Sequence, residues 1–315
     1  MVKEVHASAG ADFLDYILTD AIASPVEHEA VYTEAVMALP LPLLPNSHRS
    51  HYPLEKMDRG PSCAWGHRTA VLALYEHYKL DPDLFTRWLH VLEALRDEPE
   101  GGVGAVLVIQ DGAFPALSLP VLREYQRRVR RQRTGAISAR SDLNVTQNED
   151  VVVLQWATSR HEYIRRWACG LSILPDPSFY SAHTVAVDAL WAGSLVLSRP
   201  GARLVSRVAA SLLVGVGMHA TLLVRTWDDY EAVLFQLLRS RKKMWFLRQQ
   251  LRAERHRAPM FATLAFKHHL LRAAGLAFDS AAAAADASTA HENRAKIDRA
   301  KLPHLLVHRG AHPAG

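Results

Sequence analysis

Residues 169–198 have the sequence CGLSILPDPSFYSAHTVAVDALWAGSLVLS, and this stretch decides the fold that we predict for the chain. Short apolar runs at 169–174 and 194–198 are typical of buried strands, and the stretch between them, 184–192, is typical of a helix. A strand, a helix and a second strand in this order predict two parallel strands joined by a crossover helix.

The same alternation continues on both sides of this stretch. Further strands are predicted at 69–75, 104–110, 151–156 and 221–224, and further helices at 82–95, 160–168, 203–214 and 227–239. We therefore predict an α/β fold, a doubly wound Rossmann-like domain over 69–278. Two more helices, 242–255 and 263–274, follow the last strand, and we expect them to pack back across the molecule.

The two ends of the chain differ from this domain in composition. Residues 1–40 have the character of the end of a separate unit, and a proline-rich connector, 41–68, joins that unit to the domain. A small-residue tract followed by a polar, basic tail predicts a disordered segment over 279–315.

Bulk composition restricts the class of protein. The chain has 315 residues, of which 49% are hydrophobic and 22% charged, and these values predict a globular protein with a large core. Its longest apolar run, 208–224, is interrupted by glycines and is shorter than the ~20 residues of a membrane helix. Residues 1–15 lack the pattern of a secretory signal, so we expect a cytoplasmic or nuclear protein without a membrane partner.

Cysteine content and charge give two further expectations. The only cysteines, Cys63 and Cys169, are so sparse that we expect reduced thiols and neither a disulfide framework nor a zinc site. The formal net charge of +5 suits an anionic partner.

An arginine-rich insertion at 121–148 has the charge of a nucleic-acid-binding patch. It contains Arg123, Arg127, Arg128, Arg130, Arg131, Arg133 and Arg140, but only Tyr125 as an interleaved aromatic residue. This composition favours a solvated helix over a nucleic-acid site, which stays an alternative.

Three segments resemble the O-linked N-acetylglucosamine (O-GlcNAc) transferase family. They are GADFLDYILTD at 10–20, YKLDP at 78–82 with the helix after it, and HTVAVDALWAG at 183–193 with its continuation to residue 212. The third segment is the specific one, and APMFAT at 258–263 adds a weaker match. The sister branch, the SPINDLY-type protein fucosyltransferases, lacks the Trp-Ala-Gly of the third segment, so the branch that uses UDP-GlcNAc fits better.

The resemblance implies a glycosyltransferase-B fold, in which two Rossmann-like domains face each other and the C-terminal one holds the sugar nucleotide. This chain would supply the C-terminal domain, with 1–40 as the remnant end of the N-terminal domain. The implied activity is inverting transfer of GlcNAc from UDP-GlcNAc to Ser and Thr of intracellular proteins, without a metal or other cofactor. The implied partners are the UDP-sugar, the protein acceptors and, in a longer chain, tetratricopeptide repeats and an N-terminal catalytic half.

A helix start after a strand provides the candidate diphosphate site. Helix N-termini carry N–H groups that stabilise the negative charge of a departing diphosphate. Thr184 and Asp188 are four residues apart on the predicted helix, so a hydroxyl for phosphate and a carboxylate for ribose share one face. The family positions that match His183, Thr184 and Asp188 bind UDP, and Lys79 matches the lysine that contacts the diphosphate and assists the leaving group. The alternative is a capping threonine and a solvated aspartate.

Three more positions depart from the family pattern. Glu76 stands where the family has a glutamine near the phosphates, and its charge would weaken nucleotide binding unless Lys79 neutralises it. Tyr163 replaces a histidine that stacks on the nucleotide, and Arg160 replaces a lysine near the uridine. The alternative for Tyr163 is a helix residue that packs on the sheet.

A non-catalytic UDP-binding scaffold is the main alternative function. The family's N-terminal half, with its proposed catalytic histidine, has no counterpart before Val5, and EVHAS at 4–8 stands where the family has Gly-Tyr-Pro-Gly-Thr. A SPINDLY-type fucosyltransferase is the other alternative.

Overall fold

The strands of the described residues form two separate parallel sheets. The computed structural model describes residues 8, 10–11, 13–58, 63–96, 104–110, 151–289 and 305–307. In chain order the strands are β1 (Tyr16–Asp20), β2 (Ala35–Leu39), β3 (Thr69–Ala73), β4 (Ala105–Gln110), β5 (Val151–Leu154), β6 (Ser172–Pro175), β7 (Leu195–Leu197) and β8 (Leu305–Leu306).

The α-helices within the described residues connect or follow these strands. They are α1 (His48–His51), α2 (Leu54–Asp58), α3 (Pro82–Arg96), α4 (Arg160–Trp167), α5 (His183–Ala192), α6 (Val208–Gly215), α7 (His219–Leu222), α8 (Trp227–Arg239), α9 (Arg241–Arg255) and α10 (Thr263–Thr289). Short 3-10 turns lie at Val26–Val31, His77–Lys79, Leu204–Ser206 and Pro259–Phe261.

The larger sheet has five strands in the order β5-β4-β3-β6-β7. Its inner strands are continuous apolar runs, as expected where helices cover both faces of a parallel sheet. The chain builds outward from β3 to β5 and then returns to β6 on the other side of β3. This reversal puts the carboxyl ends of β3 and β6 side by side, and ligands of open α/β sheets bind in the crevice at such a point.

The smaller sheet, in the order β1-β2-β8, joins the start of the described chain to its end. Helix α10 packs on β2, and a separate apolar cluster holds the contact together: Met37, Leu39, Ala273 and Val307. The packing back of the terminal helices that the sequence predicted is thus present.

Asp20, at the end of β1, connects this small sheet to the rest of the molecule. One of its buried carboxylate oxygens accepts hydrogen bonds from the backbone N–H groups of Ile22 and Ala23, and the other from the Leu43 N–H and the Ser211 hydroxyl. Burial raises the pKa of Asp20 above its usual value, although these bonds lower it. A single side chain therefore joins β1, the connector and α6.

Four expectations from the sequence need correction. The strand predicted at 221–224 is mostly the one-turn helix α7, and only Leu223 forms a bridge, to Ser198. The helix predicted at 203–214 is divided at Arg207 into a 3-10 turn and α6.

Helix α10 is the third correction, because it continues past the predicted onset of disorder at residue 279 and ends at Thr289. The alanine-rich tract 281–285 accounts for this, since alanine has the highest helix propensity. Residues 305–306 add a strand to β2.

The cysteines are the fourth correction, because Cys63 and Cys169 form a disulfide with a Cα–Cα distance of 5.6 Å. The fold brings the end of the connector against the residues that lead into β6. Two cysteines 106 positions apart gave no signal of this contact in the sequence.

No helix among the described residues is long and apolar enough to span a bilayer. The arginine-rich insertion at 121–148 lies outside the described residues, so the structure does not bear on its predicted conformation.

Candidate functional site

The candidate site lies where the loops after β3 and β6 meet. Lys79 ends the 3-10 turn that follows β3, and His183 begins α5 after the loop that follows β6. The Lys79 ammonium donates a hydrogen bond to the Ser181 carbonyl at 3.1 Å, three residues before Thr184. The structure therefore brings the predicted lysine and the predicted helix start together. We call the loops 74–79 and 176–184 the β3–β6 edge.

A buried carboxylate holds the start of α5 in place. Asp176 accepts hydrogen bonds from the Ala182 N–H at 2.7 Å and from the hydroxyls of Ser181 and Ser198. Burial raises the pKa of Asp176, and the same hydrogen bonds lower it. The N-cap residue, Ala182, makes no side-chain cap, and its own N–H is bonded to Asp176. The N-terminal end of a helix carries a partial positive charge, which suits an anion.

His183 and Thr184 have different environments although they are neighbours. His183 is only 3% exposed, and its Nε2 lies 3.0 Å from the Val205 carbonyl oxygen. Its ring stacks on Tyr180, with 4.8 Å between the ring centroids. Thr184 is exposed at the first turn of the helix. His183 thus supports the loop, while Thr184 offers a hydroxyl at the surface.

Asp188 is fully buried, which differs from the solvated aspartate of the alternative interpretation. One carboxylate oxygen lies 2.7 Å from His48 Nε2, and both oxygens lie within 2.8 Å of an Arg160 guanidinium nitrogen. The Arg160 side chain is 52% exposed and covers the carboxylate from the solvent side. In this conformation the carboxylate that the sequence assigned to ribose is bonded within the protein.

Tyr163 packs at the end of β3. Its hydroxyl donates to the Leu74 carbonyl, and the Arg160 guanidinium lies 5.4 Å from its ring centroid. The pKa of Tyr163 is raised, first by burial and then by the negative charges of Asp188 and Glu76. Glu76 itself lies in the loop after β3 that leads to Lys79.

The predicted residues therefore form two adjoining groups at one edge of the sheet. Lys79, His183 and Thr184 lie at the start of α5, and Arg160, Tyr163 and Asp188 lie along its side. Glu76 precedes the 3-10 turn that carries Lys79.

Three residues that contact the predicted site residues were not identified from the sequence. Asp176 directly follows β6 and comes two residues after the strand predicted at 169–174, a position from which it could have been identified. His48 lies in the connector, and no spacing relates it to Asp188, 140 residues away. Tyr180 belongs to the stretch 169–198, where it had no partner in the sequence pattern. Among the described residues, no group of three or more His, Cys, Asp or Glu is arranged to hold a metal ion.

Comparison with known proteins confirms the resemblance that the sequence suggested. Residues 127–270 match the model of glycosyl transferase family 41. The match begins inside the insertion at 121–148, where the sequence showed no resemblance, and it does not include the segments at 10–20 and 78–82.

One relative is a probable UDP-N-acetylglucosamine–peptide N-acetylglucosaminyltransferase from Arabidopsis thaliana, which is 24% identical over 270 residues. The alignment covers 84% of this chain and 25% of the relative. This chain therefore spans about a quarter of that protein.

Two solved structures are similar to parts of this chain. An O-GlcNAc transferase mutant from Thermobaculum terrenum is 20% identical with a TM-score of 0.65, over 85% of this chain and 46% of that one. A UDP-forming trehalose-phosphate synthase from Burkholderia vietnamiensis is 13% identical with a TM-score of 0.48, over 79% and 53% of the two chains. The first likeness confirms the predicted α/β fold of the glycosyltransferase-B type.

Proposed function

We propose, from the similarity to glycosyl transferase family 41 and from the geometry of the β3–β6 edge, that this chain is the donor-binding part of a protein O-GlcNAc transferase. It would bind UDP-GlcNAc and support inverting transfer of the sugar to Ser or Thr of a protein acceptor. The observation that carries the proposal is the Lys79 ammonium, 3.1 Å from the Ser181 carbonyl at the start of α5.

The chemistry requires stabilisation of the departing diphosphate. As the acceptor oxygen bonds to the anomeric carbon, the bond to the phosphate oxygen breaks, its electron pair stays with UDP, and the proton of the acceptor hydroxyl passes to the released UDP or to water. Lys79 supplies a positive charge, and α5 supplies the positive end of its helix dipole, at the same edge. Donors that are already oriented toward the developing charge lower the barrier without further rearrangement. Thr184, exposed on the first turn, adds a hydroxyl.

The nucleoside would lie along the side of α5, near Tyr163 and Arg160. For Asp188 to accept hydrogen bonds from ribose hydroxyls, the Arg160 side chain has to move aside, and its 52% exposure leaves it room to do so. His48 would keep the carboxylate oriented from the protein side during that exchange. Glu76 opposes binding, because it adds a negative charge beside an anionic ligand.

The chain spans only part of the length of its relatives. The binding of a protein acceptor is therefore also part of what we propose. Protein Ser and Thr acceptors and a facing N-terminal half, in the same chain or a longer one, are the expected partners. The matches do not favour a UDP-binding scaffold or a SPINDLY-type fucosyltransferase over this function.

A transfer assay tests the proposal. Incubation of the chain with UDP-GlcNAc carrying a radiolabelled sugar and a Ser/Thr-containing acceptor peptide should give labelled peptide. Lys79→Ala should lower incorporation by about 10²-fold, the loss typical of removing one stabilising donor, whereas Lys267→Ala, an exposed lysine of α10, should have no effect. Failure of the folded chain to bind UDP-GlcNAc, or labelling that Lys79→Ala leaves unchanged, would contradict the proposal.

A further inference from the structure

Tyr180 contacts two residues of the β3–β6 edge at once. The Lys79 ammonium lies over its ring, 4.1 Å from the centroid, and the His183 ring stacks on it at 4.8 Å with 27° between the planes. Tyr78 approaches from the loop after β3, edge-on at 6.1 Å. The Tyr180 ring is thus the common contact of three side chains that come from both loops.

This contact connects Lys79 to the interior of the domain. His183 is buried and faces the Val205 carbonyl, so its ring has a fixed position. Tyr180 rests on that ring, and the Lys79 ammonium rests on Tyr180. Lysine is a flexible side chain whose charge can occupy many positions, and a fixed aromatic face restricts that range while attracting the cation.

The restricted position lies where the proposed function requires a positive charge. The same ammonium reaches the Ser181 carbonyl, which lies at the entrance to α5. An ammonium held there before the ligand arrives does not lose its freedom on binding, and such preorganisation increases affinity.

We propose that Tyr180 is a positioning residue, whose ring holds the Lys79 ammonium at the start of α5 in the orientation that binds the diphosphate of a nucleotide sugar. This role rests on the proposed function, because it assumes that the β3–β6 edge binds a diphosphate. The ring face carries the effect, so the hydroxyl of Tyr180 is dispensable.

Calorimetric titration with UDP and with uridine tests the proposal on three variants. Tyr180→Leu should weaken UDP binding by about three- to tenfold, as expected for one cation–π contact, and leave uridine affinity unchanged, since uridine has no diphosphate. Tyr180→Phe keeps the ring and should bind UDP within about twofold of the wild type. Phe179→Leu is the matched control, because Phe179 is adjacent and 75% exposed.

A spectroscopic measurement reports on the contact without any ligand. The NMR signal of the Lys79 ε-carbon, assigned by its absence in Lys79→Arg, should be shifted upfield by the ring current of the aromatic face. Tyr180→Leu should return it to the position of exposed lysines, and Tyr180→Phe should not. This readout does not depend on the stability of the variants, provided that they fold.

The outcomes separate the two proposals. If the folded wild type does not bind UDP, the proposed function fails and the positioning role fails with it. If the wild type binds UDP and Lys79→Ala weakens binding, but Tyr180→Leu leaves UDP affinity and the Lys79 signal unchanged, only the role of Tyr180 is overturned.

Discussion

In the function that we propose, single side chains at the β3–β6 edge determine how well the chain holds an anion. Lys79 contributes a positive charge there and Glu76 a negative one. The Lys79 N–H donates a hydrogen bond to the Glu76 carbonyl and thereby closes the 3-10 turn between them. Glu76 also acts on Tyr163, since its charge contributes to raising the pKa of that phenol. We therefore expect the balance of these two charges to set the affinity of the proposed site for a diphosphate.

Glu76→Gln should therefore strengthen UDP binding. The substitution removes a like charge beside the ligand and keeps the size of the side chain, and we expect affinity to rise about two- to tenfold, corresponding to roughly 0.4–1.4 kcal/mol. Calorimetric titration at low ionic strength measures this, with the exposed residue Glu254 of α9 changed to Gln as the control. Unchanged or weaker binding would show that Glu76 does not face the nucleotide.

At the scale of elements, α5 is the helix on which the site depends. It is buried along nearly its whole length. Its C-cap residue, Gly193, has a backbone φ of +84°. A Cβ at this position would lie 3.1 Å from the Arg252 guanidinium of α9, so the glycine satisfies both the left-handed turn and the close approach of another helix.

Gly193→Ala should destabilise the protein more than Gly217→Ala. Both glycines have positive φ, but a Cβ at Gly217 would meet nothing within 4 Å. We expect a loss of about 1 kcal/mol at Gly217 from backbone strain alone and about 2–3 kcal/mol at Gly193. Urea denaturation measures the difference, and equal losses would mean that α9 adjusts to the added methyl group without cost.

Elements that form through local interactions could be predicted from the sequence, whereas contacts between residues far apart in the chain could not. Helix α8 was predicted with its observed bounds, because Thr226 caps it locally and its apolar residues repeat with helical spacing. The strand predicted at 221–224 was wrong, because the N–H groups of Leu222 and Leu223 bond to the carbonyls of Met218 and His219 and so form the turn of α7. In the site, Lys79 was found through a motif, whereas the contact of His48 with Asp188 depends on the connector crossing α5, and no local pattern records that.

At the scale of the whole molecule, the chain closes on itself in several places. Helix α10 and β8 return to the small sheet, Asp20 joins that sheet to α6, and the Cys63–Cys169 disulfide attaches the connector to the large sheet. The connector also carries His48 against Asp188 in the candidate site. The position of the connector therefore bears on the ligand site as well as on stability.

Reduction of the disulfide should lower the free energy of unfolding by about 2–5 kcal/mol, because it releases the constraint on a long loop of the unfolded chain. Thermal unfolding with and without a phosphine reductant measures the effect. The Cys63→Ser, Cys169→Ser double variant is the control, and it should match the reduced wild type and not respond to the reductant. A wild type that is equally stable in both conditions would argue against the disulfide.

The claim that the β3–β6 edge binds the diphosphate of a uridine nucleotide has one direct test, a calorimetric titration of the folded chain with UDP and, separately, with uridine. We predict saturable binding of UDP to one site, tighter than that of uridine. The difference in affinity between the two ligands should fall at least tenfold in Lys79→Ala and should be unchanged in Lys267→Ala. Absence of UDP binding by the folded chain, or equal binding of UDP and uridine, would contradict it.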